Sequence, residues 1–153
     1  MPTLQVLAMR YGYDDLSLAF PDVDIPVVTG VQRQGDVLVL PSQPPSCLPG
    51  FGRRQGLRAG VVVVGSESSG HTHTLYGDGT VRRLADPTSP AALPRPDATV
   101  AWLRVPAGGE AFLMHSDEHC ALGIGPGTYQ LRRQLEYRDP DQQTSAYWKF
   151  VRD

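Results

Sequence analysis

The chain has 153 residues, the usual size of one domain with room for a real core. Its 41% hydrophobic and 20% charged residues exclude a disordered chain. A net charge of -2, with acidic and basic residues interleaved, excludes the strong field of a nucleic-acid or acidic-membrane binder.

Residues 3–9 (TLQVLAM) form a short apolar run. In 11–20 (YGYDDLSLAF), Asp14 or Asp15 could cap a short helix carrying Leu16, Ala19 and Phe20, stopped by Pro21. Residues 25–32 read as an irregular or edge strand. Gly35-Asp36 is a turn signal, and 36–41 (DVLVLP) reads as a buried strand ended by proline. Residues 41–60 are rich in proline and glycine and read as a long surface loop, of a kind that is often functional.

The valines of 60–65 (GVVVVG) favour extended backbone and predict a core strand. A turn at 67–70 leads into 71–76 (HTHTLY), and Gly77-Asp78-Gly79 returns the chain into 80–84 (TVRRL). Residues 85–97 form another proline-rich loop. Strands follow over 98–106 and 110–115, and 116–124 leads to the turn Gly125-Pro126-Gly127. In 128–137 (TYQLRRQLEY), Tyr129, Leu131, Arg133, Leu135 and Tyr137 share one strand face, and Gln130, Arg132, Gln134 and Glu136 the other. A polar linker precedes the short AYWKFVRD element. The whole predicts a mainly β protein, a small barrel or sandwich with long Pro/Gly-rich loops and at most one or two short helices. Residues 1–30 form an N-terminal extension, and 31–153 one β domain.

Cys47 and Cys120 form no C-x-x-C pair and read as free thiols in a reducing compartment. The N-terminus lacks a signal-peptide pattern, and no apolar run approaches the ~18 residues of a membrane span. The expected location is therefore the cytoplasm, away from membranes.

The four histidines fall in two pairs. His71 and His73, two apart on a strand, share a face, and two imidazoles so placed can bind one metal ion. His115 and His119 flank a turn containing Asp117 and Glu118, either of which could add an oxygen ligand or acceptor. Imidazole donors suit Zn, Fe, Mn or Ni, and a metal with an open position could activate water or polarise a carbonyl. Glu118 is the candidate general base. There is no G-x-S-x-G, P-loop or dinucleotide fingerprint. His119 and Cys120, as strand neighbours, would point to opposite faces and make a poor catalytic dyad. Trp102, Tyr147 and Trp148 read as core or interface aromatics rather than ligand platforms.

Gly65, His71 and His73, spaced G-x5-H-x-H, resemble the start of the first cupin motif, which implies metal-ligating histidines inside a β-barrel. That motif continues with a glutamate where this chain has Gly77 and Asp78, and the second cupin motif is only echoed by Pro106, Gly108 and a displaced His115. A broader stretch, about residues 31–137, resembles a family of small uncharacterised bacterial and phage proteins. These carry RQGDVLL, then G-H-x-H, then E-H-x-x-L-x-L-P-x-G-x-Y and R-Q-x-E-Y. The matching positions include Arg33 to Asp36, Gly70, His71, His73, Glu118, His119, Gly127, Tyr129, Arg133 and Gln134. That resemblance implies no reaction. It favours His71, His73 and His119 and ranks His115 last.

Three functions are thus in view. The first is a metal-dependent β protein, an enzyme or not, whose small-molecule ligand is unknown. The second is a structural or assembly protein, homo-oligomeric or phage-associated. The third, disfavoured by charge balance, is a nucleic-acid module suggested by the pairs Arg53-Arg54, Arg82-Arg83 and Arg132-Arg133 and by Tyr129, Arg133 and Tyr137.

Overall fold

The computed structural model describes residues 1–12, 22–65, 72–84, 98–115, 120–137 and 148–150. Among the described residues, one helix, α1 (Leu4–Tyr11), precedes thirteen strands. Five of them form a sheet in the order β1 (Val27–Val28), β10 (Cys120–Ile124), β9 (Ala111–His115), β6 (Thr72–Gly77), β5 (Val61–Gly65). Six form a second sheet in the order β2 (Gln32–Gln34), β3 (Val37–Pro41), β11 (Gly127–Arg133), β8 (Thr99–Val105), β7 (Thr80–Arg83), β4 (Gln55–Gly56). β12 (Leu135–Tyr137) and β13 (Trp148–Phe150) pair separately. The sheets are open among the described residues, so the expected β architecture is a sandwich rather than a closed barrel.

Alternation along each strand builds the core. Val37 and Val39, Leu103 and Val105, Tyr129 and Leu131 come from the second sheet. They pack with Val61, Val63, Leu75, Leu113 and Ile124 of the first in a single buried cluster. The Tyr129 hydroxyl donates to the Gly125 carbonyl at 2.8 Å. Burial pushes the Tyr129 phenol above its ordinary range. A phenol whose pKa is higher folded than unfolded contributes stability below about pH 10, lost as pH rises through the folded value. Tyr129→Phe should cost about 1 kcal/mol at neutral pH. It should also weaken the loss of stability at alkaline pH, as read by urea unfolding across the range. An identical alkaline profile in wild type and variant would exclude this.

β9 is covered on both faces. Ala111, Leu113 and His115 face the main core, while Phe112 and Met114 face a second cluster with Leu4, Leu7 and Ile25. Leu4, Leu7 and Tyr11 lie at helical spacing on the side of α1 that meets this sheet. Thr3 caps the helix by accepting from the Val6 amide at 3.2 Å. Gly12, at φ 65°, ends it in a left-handed conformation. The helix thus spans Leu4–Tyr11, over most of the apolar run 3–9, and ends at the first residue of the segment expected to be helical. That segment lies outside the described residues except for Tyr11 and Gly12. On the far side of β9, β1 pairs in parallel with β10. The approach is so close that a Cβ at Gly123 would meet the Pro26 carbonyl oxygen at 2.3 Å. The segment 41–60 is more ordered than a surface loop: it holds β4, a bridge from Phe51 to Leu84, and the fully buried Leu57. The predicted long strand 128–137 breaks at Gln134, after which the chain enters the β12–β13 pair.

Candidate functional site

Five polar side chains meet between the sheets at one end of the sandwich. His73 on β6 and His115 on β9 are direct register partners. Residues opposite one another share a face, so both rings point inward with Leu75 and Leu113. Their centroids lie 4.5 Å apart at 78°, and both residues are buried. The second sheet contributes Gln34, Asp36 and Arg133. Gln34 ends β2 and Val37 begins β3, so Gly35 and Asp36 make a two-residue hairpin loop. Gly35 takes φ 56° there, which glycine accepts without strain. Arg133 pairs with the inward-facing Val37 and therefore points the same way.

The hydrogen bonds fix the chemistry of each group. Gln34 Nε2 donates to the Leu113 carbonyl at 3.0 Å. That turns Gln34 Oε1, an acceptor, toward His73 Nδ1 at 3.0 Å, so Nδ1 carries a proton. The other ring nitrogen, Nε2, lies 3.2 Å from Asp36 Oδ1. Asp36 Oδ2 accepts from Arg133 Nε at 2.9 Å. A bare nitrogen lone pair facing a buried carboxylate oxygen would be repulsive. Nε2 and Oδ1 are close enough that a proton or a metal ion could be shared between them.

The backbone around the site is tied in the same way. The Gln134 amide donates to the Asp36 carbonyl at 2.7 Å, and Arg33 Nη2 donates to Gln134 Oε1 at 2.5 Å. The Arg-Gln-Gly-Asp and Arg-Gln segments of the sequence thus interlock.

Of the histidines and the glutamate singled out from sequence, His73 and His115 are brought together. His71, Glu118 and His119 lie outside the described residues, as does Asp117. His115, ranked last on sequence grounds, and His73 are the two described histidines, and their rings are in contact. From sequence, Asp36 is a turn residue and a matched family position, Gln34 a matched position, and Arg133 a matched position that also carries the nucleic-acid alternative. Their clustering in the family pattern with His73 was the available signal.

Donor types and spacing fit a transition metal at His73 Nε2 and Asp36 Oδ1. Two ligands each about 2.0–2.2 Å from one ion stand ~3.0–3.4 Å apart. The Gln34 carbonyl on Nδ1–H and Arg133 on the outer carboxylate oxygen are the outer partners that orient such ligands. Among the described residues, no group of three or more His, Cys, Asp or Glu side chains could hold a metal ion. Cys47 is an exposed free thiol. No helix of the described residues is long and apolar enough to cross a membrane.

A family described as a domain of unknown function, DUF8820, matches residues 33–134. The chain belongs to this family. Its matched span opens at Arg33 and closes at Gln134, the two side chains that hydrogen-bond across the site. No curated protein matches the chain. No solved structure matches it.

Proposed function

We propose that this DUF8820 member binds a divalent transition metal, Zn, Fe, Mn or Ni, at the histidine end of the sandwich. His73 and Asp36 are the proposed inner ligands, with His115 beside them. The remaining candidates, His71 and His119, directly precede in sequence the first residues of β6 and β10. The observation that carries this reading is the 3.2 Å approach of His73 Nε2 to Asp36 Oδ1, with both groups held from behind by Gln34 and Arg133. A metal with an open position supplies a polarised oxygen or a water acidic near neutral pH. Glu118 is then the proposed general base of a metal-dependent reaction.

Elemental analysis of protein purified without a His-tag tests the binding. We expect close to one ion per chain, retained through dialysis. Asp36→Asn keeps shape and hydrogen bonding but removes the anionic ligand, and should lose the metal while the fold persists by circular dichroism. Full occupancy in Asp36→Asn combined with His115→Ala would refute the assignment. So would failure of the wild type to bind added Zn, Mn, Fe(II) or Ni.

A second reading, assembly, is favoured by the surface of the N-terminal segment. Of the seven exposed large hydrophobic residues among those described, six lie within the first 31: Met1, Val6, Met9, Val23, Val28 and Val31. Light scattering tests it directly. A monomer at high concentration, unchanged by removal of residues 1–25, would count against assembly through this segment.

A further inference from the structure

The outward face of the second sheet carries a cavity of about 520 Å³, walled by β7, β8, β11 and the segment from Gln43 to Arg54. It is separate from the histidine end. Ala101, Leu103 and Val105 of β8 face the core, so Trp102 and Arg104 face away from it. Sheet register then assembles the floor. Trp102 stands opposite Arg82 on β7, and Arg104 lies between Thr80 on β7 and Thr128 on β11. Arg54 adds a third guanidinium, and Pro44, Pro45 and Leu48 supply an apolar wall. Arg82 is held in place, its Nε donating to the Gly52 carbonyl at 2.9 Å.

Among the described residues lining the cavity are three arginines and no carboxylate. In a chain of net charge -2, that is a local reversal of sign. Arginine forks match phosphate oxygens in paired hydrogen bonds. A half-buried indole opposite proline and leucine offers a planar ring a face to stack on. The volume lies within the roughly 300–1,000 Å³ usual for small-molecule sites.

We propose that this cavity binds a small phosphorylated ligand carrying a planar ring, of mononucleotide size, with Arg54, Arg82 and Arg104 on the phosphate and Trp102 on the ring. The prolines give the apolar wall a fixed backbone, so little ordering is required on binding. The site depends on nothing at the histidine end and stands whether or not a metal binds there.

The test is calorimetric titration of the full chain with AMP, alongside adenosine and inorganic phosphate. AMP should bind one-to-one and saturably. Adenosine lacks the anion and phosphate lacks the ring, so each should bind at least about tenfold more weakly. Arg54 and Arg104 are exposed, so alanine variants should fold as the wild type does. Each should weaken AMP by about tenfold or more, and Trp102→Ala should weaken AMP without changing phosphate binding. Unchanged AMP affinity in the Arg54→Ala, Arg104→Ala double variant would overturn the proposal, as would absence of saturable AMP binding by the wild type. Tighter binding of a single-stranded oligonucleotide, with a salt dependence greater than three arginine contacts provide, would replace the small-ligand assignment.

Discussion

Asp36→Ala is expected to destabilise the fold by about 3–5 kcal/mol, because it removes one member of a buried charged set and leaves the others in place. The Asp36 and His73 side chains are 2% and 1% exposed, and that of Arg133 is 12%. Water therefore cannot restore what the carboxylate supplied. Arg133 would lose the acceptor at its Nε, and His73 Nε2 would lose the carboxylate oxygen that faces it. In a chain of this length such a loss lowers the melting temperature by roughly 6–20 °C. Asp36→Asn should cost clearly less, since an amide oxygen still accepts from Arg133. A double-mutant cycle between Asp36→Ala and His73→Ala should return a coupling of about 1–3 kcal/mol. Differential scanning calorimetry reads all of these. Melting of Asp36→Ala within about 1 kcal/mol of wild type would show that the network is not held as described.

This network shows where sequence reasoning reaches and where it stops. The strands were legible because their signals are local. Four valines in a row predict extended backbone over 60–65, and the structure has β5 at Val61–Gly65. Gly77-Asp78-Gly79 predicts a tight return, and β6 and β7 end and begin there. The alternation of Tyr129 and Leu131 with Gln130 and Arg132 predicts the buried face of β11. α1 was not expected, although its signals are equally local: Thr3 as cap and Gly12 as terminator bracket the apolar run, while nearly all of the segment expected to be helical lies outside the described residues.

The site was half legible. Strand geometry requires that His73 face the same way as Leu75, but not which residue of another strand lies opposite. That depends on the sheet order β10, β9, β6, which places His115 against His73 across 42 residues of sequence. Asp36 is the sharper case. A Gly-Asp pair between strands signals a hairpin loop wherever it occurs, and loops are ordinarily exposed. Here the loop sits at the open end of the sandwich, and Arg133 and His73 draw the carboxylate inward. The contact spans 37 residues to one partner and 97 to the other, so no local pattern contains it.

The second large effect is expected at Phe112. Its ring is fully buried on the face of β9 turned away from the main core, beneath α1. Tyr11 lies with its ring centroid 6.4 Å from that of Phe112 and 5.5 Å from that of Tyr76. Leu4 and Leu7 complete the contact. An eight-residue helix is too short to persist in water on propensity, so its stability comes from this packed face. The Arg10–Glu110 ion pair at 3.2 Å is half-exposed and contributes little beside it. Phe112→Ala should therefore cost about 3–5 kcal/mol globally. It should also release α1 from the sheet before the sandwich opens. Hydrogen exchange would show this as protection lost in residues 7–11 while β8 and β11 stay protected. Leu113→Ala, one residue along but facing the main core, should cost about 2–5 kcal/mol and lower protection in both regions together. The family match begins at residue 33, so α1 lies outside the family's own span. Selective release by Phe112→Ala would mark α1 as an element added onto a sandwich that folds without it. Equal loss of protection in α1 and β11 would mean that helix and sandwich form one cooperative unit.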